Sequence, residues 1–351
     1  SCLLANNQPA AFYKFFKLVE FFLLGFYIAK NSLKISNFKF QIFVAIIYSS
    51  FLAIAQFLKQ GSIGGIFYWL GERTFTSGTP GIAQTVWNGQ LLLRPYATFP
   101  HPNVLAGFLV IGLLFILIKK RQMNTIVVIC PLVLGMIALF LTFSHVAWVV
   151  FGGALLIKTF LCHSRESGNL GLSRETWIPD QVGDDRKTRS NKKKIFFVSV
   201  LLLSIFYFLF STFPIQSESI TYRQDLNLAA IKEWQSSPLF GVGLNNFLVR
   251  LPEFYQSSGE IRWFQPAHNI FLMVLAETGL IGLICLIGLI GLTIRRLLLT
   301  TNYLLFTALI SVLIMGLFDH YFYTLQQGQL LVALVFGLAW SNSLQNGKIS
   351  G

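Results

Sequence analysis

The sequence predicts an all-α, polytopic integral membrane protein, and three observations predict it: the composition, a series of long apolar runs, and the placement of Lys and Arg between them. Of 351 residues, 54% are apolar, 15% aromatic and only 12% charged. Soluble domains carry about 25% charged residues, so an ordinary cytosolic globule and a disordered chain are both excluded. A bilayer core of about 30 Å needs about 20 mainly apolar residues per helix. Nine runs of that kind are predicted, at 11–29, 40–58, 103–118, 125–143, 146–161, 195–213, 270–294, 301–318 and 321–340. The first is the weakest, because Lys14, Lys17 and Glu20 interrupt it.

Orientation follows from the basic residues of the short connections. Lys30, Lys34 and Lys39 follow the first run, Lys119, Lys120 and Arg121 the third, Arg295 and Arg296 the seventh, and Lys348 the ninth. These connections alternate in register, so their side is predicted to be cytoplasmic, and the long connections 59–102 and 214–269 face outward. A net charge of +13, from 27 Lys+Arg against 14 Asp+Glu, would suggest nucleic acid in a soluble chain. Here the cytoplasmic segments hold the whole excess, so it is a topology signal and no nucleic-acid partner is expected. Cys2, Cys130, Cys162 and Cys285 show neither a disulfide framework nor metal-ligand spacing.

Residues 163–194 are polar, rich in Gly and Ser, and end in Asn191-Lys192-Lys193-Lys194. The segment resembles translated interspersed repeats of bacterial genomes, inserted where a cytoplasmic loop tolerates length. It is expected to be mobile and non-catalytic, the competing reading being a regulatory or partner-binding loop. The chain is otherwise read as a single membrane domain over 1–351. It starts at Ser1 without a methionine, so N-terminal helices are expected to be missing.

Long outer loops are the natural place for a site. The larger one carries Thr221-Tyr222-Arg223, then Trp234, then Ser237-Pro238-Leu239-Phe240-Gly241-Val242-Gly243-Leu244-Asn245-Asn246-Phe247. It closes with Pro266-Ala267-His268-Asn269, which runs into a helix containing Ala276-Glu277-Thr278-Gly279-Leu280-Ile281-Gly282-Leu283. The Gly241-Val242-Gly243 pair follows no strand and lacks a third glycine, so it is no nucleotide cradle. Upstream, Thr98-Phe99-Pro100-His101-Pro102-Asn103-Val104-Leu105-Ala106-Gly107 opens the third run, and Leu141-Thr142-Phe143-Ser144 closes the fourth. Phe318-Asp319-His320-Tyr321 and Thr324-Leu325-Gln326-Gln327-Gly328 follow near the end.

In this order and topology, these motifs resemble the O-antigen ligase and O-antigen polymerase superfamily of bacterial membrane glycosyltransferases, over most of residues 90–340. The resemblance implies a multi-pass inner-membrane enzyme with its site facing the periplasm and with no metal or cofactor. It implies about a dozen spans, so about three helices would precede this chain. It also implies a donor glycan on undecaprenyl diphosphate and an acceptor hydroxyl. The acceptor is lipid A-core in a ligase, a carrier-linked chain in a polymerase, or a protein side chain in an O-oligosaccharyltransferase. Membrane lipids are the remaining partners.

Within this framework Arg223 is the candidate diphosphate binder, since arginine's planar donor fork suits phosphate oxygens. His268 is the candidate base for the acceptor hydroxyl. Arg94, His145, Asn269 and Asp319 are candidate substrate-binding residues. His145 stands where the family places an arginine after Thr-x-Ser, and Arg94 could supply a second cation. Asn269 could orient His268 or cap the following helix. Competing readings are an interfacial helix start for His268, a lipid-phosphate contact for Arg223 and an ordinary loop arginine for Arg94. Trp234 and Trp263 are read as interface or loop packing, Gly241 and Gly243 as turn formers, and Glu277 as a helix–helix hydrogen bonder. A transporter or flippase and an inactive homologue are the alternatives of a different class.

Overall fold

The computed structural model describes residues 1–87, 89–117, 125–167, 217–255 and 264–341. The sequence-predicted run 195–213, Trp263, Lys348 and most of the 163–194 insert lie outside these residues. The chain opens with a 3-10 turn, Cys2–Leu4, followed by α1 (Gln8–Lys30), α2 (Ile35–Lys59) and the single-turn α3 (Ile66–Trp69). Strands β1 (Gln84–Trp87) and β2 (Gln90–Leu93) pair antiparallel, with Gln84 opposite Leu93. Then come α4 (Pro102–Ile116), α5 (Thr125–Leu141), α6 (His145–Ser167), α7 (Ser217–Ser236), α8 (Phe247–Phe254), α9 (Ile270–Leu299), α10 (Tyr303–Phe318), α11 (Tyr321–Thr324) and α12 (Gln326–Trp340). The chain is thus mostly helical, and a two-stranded hairpin in the 59–102 connection departs from the all-α expectation.

Local chemistry sets several helix starts. Asn7 accepts from the Ala10 amide at 3.1 Å, and Asn302 accepts from that of Leu305 at 3.1 Å. His101 caps α4 through Nδ1, which accepts from the Asn103 amide at 3.1 Å, with Pro102 in the first turn. α4 is the central helix. Twelve of its 15 residues are buried, as expected of a helix that is apolar all round and enclosed by others. It packs on α2, α5, α6, α10 and α12. Gly107 faces the Tyr321 ring and Gly112 faces Ile46, at distances that leave no room for a Cβ.

By length and composition, α2 and α9 can each cross a bilayer. Pro102–Ile116, Ile129–Leu141, His145–Ile157 and Tyr303–Phe318 are shorter apolar helices. Apolar side chains such as Phe16, Phe22, Ile284, Ile287 and Leu292 are exposed along α1 and α9, the pattern of a lipid-facing surface. The predicted run 321–340 is not one helix. Leu325 adopts extended geometry (φ −105°, ψ 138°) and separates α11 from α12. Gly328 lies against the Tyr321 and Phe322 backbone there, so the chain turns sharply at Leu325 and only Gln326–Trp340 continues as one helix.

The helix α9 is also broken, at Gly279 (φ 69°, ψ −167°). In an unbroken helix the amides of Leu280 and Ile281 would bond the carbonyls of Ala276 and Glu277. Instead they donate to Pro238 O at 2.9 Å and Leu239 O at 3.4 Å, while Val242 N and Gly243 N donate to Ala276 O at 2.8 Å and Glu277 O at 3.0 Å. The turn 238–243 therefore inserts into the helix and takes over both missing partners, so the opened backbone groups remain satisfied. A Cβ on Gly241 or Gly279 would strike the opposing backbone, and both residues have positive φ. Gly241→Ala is expected to lower stability by about 2–4 kcal/mol, from strained backbone plus overpacking. Gly288→Ala, where an added Cβ meets nothing within 4 Å, is expected to be neutral or slightly stabilising. Thermal unfolding in detergent measures both.

Candidate functional site

Arg94 leaves the hairpin immediately after β2, and the following loop is anchored from below. Gln56, fully buried on α2, accepts from the Tyr96 and Ala97 amides at 3.0 and 2.7 Å and donates to Ala97 O at 3.1 Å. So held, Arg94 donates through Nε to Thr142 O at 2.7 Å and through Nη2 to Asn103 Oδ1 at 2.6 Å. Asn103, in the first turn of α4, passes this polarity on, since its Nδ2 donates to Asp319 Oδ2 at 2.7 Å. Asp319 Oδ1 in turn accepts from the His320 amide at 2.8 Å. Arg223 reaches the same end of the bundle from α7, with Nη1 donating to Phe318 O at 3.0 Å.

His268 sits just before α9, its ring 5.3 Å from that of His320 at 75°. Its Nδ1 is buried without a hydrogen-bond partner among the described residues. His145 begins α6 and packs 5.1 Å from the Trp148 ring. A cavity of about 840 Å³ is lined by Arg94, His145, Arg223, His268 and Asp319 together with Asn103, Gln224 and Asn227. The structure thus gathers five of the six sequence-predicted site residues. Asn269 is placed differently: its side chain caps α9, accepting from the Phe271 and Leu272 amides at 2.9 and 3.2 Å, and it does not line the cavity.

Burial lowers the His268 imidazole to about 4, with the Arg223 charge and His320 lowering it and Asp319 opposing them. Its neutral form, the one able to accept a proton, is therefore the resting form near neutrality. His101 is lowered by burial to about 3, with Arg94 adding to the effect. Burial also lowers Arg94, with Arg223 contributing, to about 10, which leaves it a cation at pH 7. For Asp319 burial alone would raise the carboxyl, but His320, His268, His101 and Arg223 bring it down to about 2.

Sequence reasoning missed Asn103, His320, Gln224 and Asn227 as site residues. The first two stood in quoted motifs, yet no spacing tied them to His268. His268, Asp319 and His320 each offer a ligand atom within 4.8 Å of the others, a grouping not foreseen because His268 lies some fifty residues before the other two. His320 Nδ1 engages Thr324 Oγ1 at 2.6 Å, which leaves Nε2 as the atom able to hold a metal. The cations Arg94 and Arg223 beside this group oppose a divalent ion there.

A second polar centre lies immediately before the α9 break, at Glu277. Glu277 Oε2 accepts from Tyr323 OH at 2.8 Å, and Lys14 Nζ donates to Tyr323 O. Glu277 thus bonds between helices. Trp234 packs within its own loop, donating to Pro238 O at 3.1 Å. Glu233 on α7 is fully buried with neither oxygen partnered among the described residues; burial, with the Glu277 charge adding, pushes it up to about 9 and keeps it neutral at pH 7.

Asn103→Asp keeps an acceptor toward Arg94 but sets a carboxylate against Asp319. A loss of about 2–3 kcal/mol is expected at neutral pH. The like charge raises the pKa of the new carboxyl, so stability should recover as pH falls and protonation restores a donor. Thermal unfolding across pH checks the sign.

Residues 130–287 match the family model described as O-antigen ligase. No curated protein matches the chain.

Proposed function

We propose, from the match of residues 130–287 to the O-antigen ligase family model, that this chain moves a glycan from undecaprenyl diphosphate to an acceptor hydroxyl of lipid A-core. The site faces the periplasm of a multi-pass inner-membrane protein, with nine spans in this chain. The observation that carries the reading is the single cavity into which Arg94, Arg223, His268 and Asp319 converge from distant segments.

In the reaction, the acceptor oxygen forms a bond to the anomeric carbon as the bond from that carbon to the diphosphate oxygen breaks. The lipid diphosphate leaves with the electron pair, and Arg223 and Arg94 stabilise its growing negative charge as fixed cations in a partly dry site. The acceptor proton passes to the neutral His268 imidazole. Asp319, beside the imidazoles, stabilises the imidazolium that forms. His145 donates to a phosphate oxygen in the position of the family arginine.

A polymerase or protein O-oligosaccharyltransferase shares this donor chemistry and differs only in acceptor. A transporter would place an opened helix along a substrate path at mid-membrane. Here the break in α9 is filled by the backbone of 238–243, which favours the transferase.

Expression in cells lacking a ligase or a polymerase separates the acceptors: a ligase restores glycan attachment to lipid A-core, and a polymerase restores chain length. His268→Ala is expected to reduce transfer by about 10²–10⁴-fold with membrane insertion intact; retained transfer would sink the assignment. Because His268 titrates at about 4, transfer should be flat across neutral pH and fall as pH drops through that value and the base is protonated. His145→Arg is expected to maintain or raise the transfer rate, and a clear loss would count against a phosphate-facing role.

A further inference from the structure

One face of α7 lines the cavity with Ile220, Arg223, Gln224 and Asn227, a spacing that puts all four on a single helical stripe. Along the stripe the chemistry changes in a fixed order, from apolar to cationic to amide. At the helical rise, Ile220 lies about 4.5 Å before Arg223 and Asn227 about 6 Å after it. Ile220 is exposed, while Asn227 Oδ1 is buried and has no hydrogen-bond partner among the described residues. An amide oxygen withdrawn from water needs an O–H or N–H donor. An ionised diphosphate offers only acceptors and a prenyl chain offers neither, whereas a sugar ring carries hydroxyl or acetamido donors.

We propose that α7 binds the lipid-linked donor lengthwise, with the prenyl end over Ile220 and the diphosphate on Arg223, and with the sugar joined to the diphosphate held by Asn227 and Gln224. This deepens the glycosyl-transfer reading above and rests on it. The order of side chains on the helix matches the order of groups in the donor, and one helical turn separates Arg223 from Asn227, about the distance from a diphosphate to the centre of its attached ring. The side chains at the sugar position are neutral amides, so a neutral sugar is the class recognised. With the glycan laid toward the C-terminal end of α7, Asn227 sets which sugar is accepted, and His268 acts from the facing wall.

The test is binding by the full chain in lipid nanodiscs, with two probes: undecaprenyl diphosphate carrying a single N-acetylhexosamine, and bare undecaprenyl diphosphate. Asn227→Leu should weaken the glycosylated probe on the order of tenfold and leave the bare probe within about twofold. Unchanged binding of the bare probe also shows that the variant is folded. Asn227→Asp, which keeps an acceptor oxygen, should retain most of the affinity for the glycosylated probe, and Arg223→Ala should weaken both probes. If Asn227→Leu binds both probes like the unaltered chain, or weakens both equally, the sugar assignment is overturned while the diphosphate site stands. If the unaltered chain binds neither probe, the transferase reading falls and the sugar assignment with it.

Discussion

The exchange of backbone hydrogen bonds at the break in α9 is the constraint on which the rest of the structure depends. Four bonds tie the turn 238–243 to the carbonyls and amides of residues 276–281. Opened backbone within a span is tolerated only where protein satisfies it, and here the loop supplies the very partners that the helix gives up. This fixes the N-terminal half of α9, which carries the Asn269 cap and, just before it, His268. It also fixes the chain between α7 and α8. The side chains on α7, Arg223 and Asn227 among them, are thereby held in register with His268. The glycines at 241 and 279 are required because each faces backbone at a distance that admits no Cβ.

The electrostatic design around the cavity follows from that rigidity. Burial and the nearby Arg223 charge both work against the Arg94 cation, and Asn103 offsets this by accepting from Arg94 while donating to Asp319. The carboxylate then sits among imidazoles that burial keeps neutral. The result, near neutral pH, is a site that holds the Arg94 cation and neutral imidazoles side by side.

The family match over residues 130–287 contains His145, Arg223 and His268 but not Arg94, Asn103, Asp319 or His320. The cavity is built from both sets. The most recognisable motif, the Pro238-to-Phe247 run with the Glu277-Thr278-Gly279 helix, is explained by backbone packing, whereas the ionisable side chains that line the cavity lie outside it.

What was legible in the sequence was local. Apolar runs marked α1, α2, α4, α5, α6, α9 and α10 within a few residues, because helical burial in lipid or protein needs continuous apolar surface. The residues His268 and Arg223 stood out because of the motifs around them, Pro266-Ala267-His268-Asn269 and Thr221-Tyr222-Arg223. Tertiary structure alone decided that the last run breaks at Leu325, that α9 opens at Gly279, that Asn269 caps a helix, and that Asn103 joins Arg94 to Asp319. The physical reason is range. Periodicity and capping act over a few residues, whereas Asn103 and Asp319 meet across 216 positions, and only the packing of α4 against α10 brings them together.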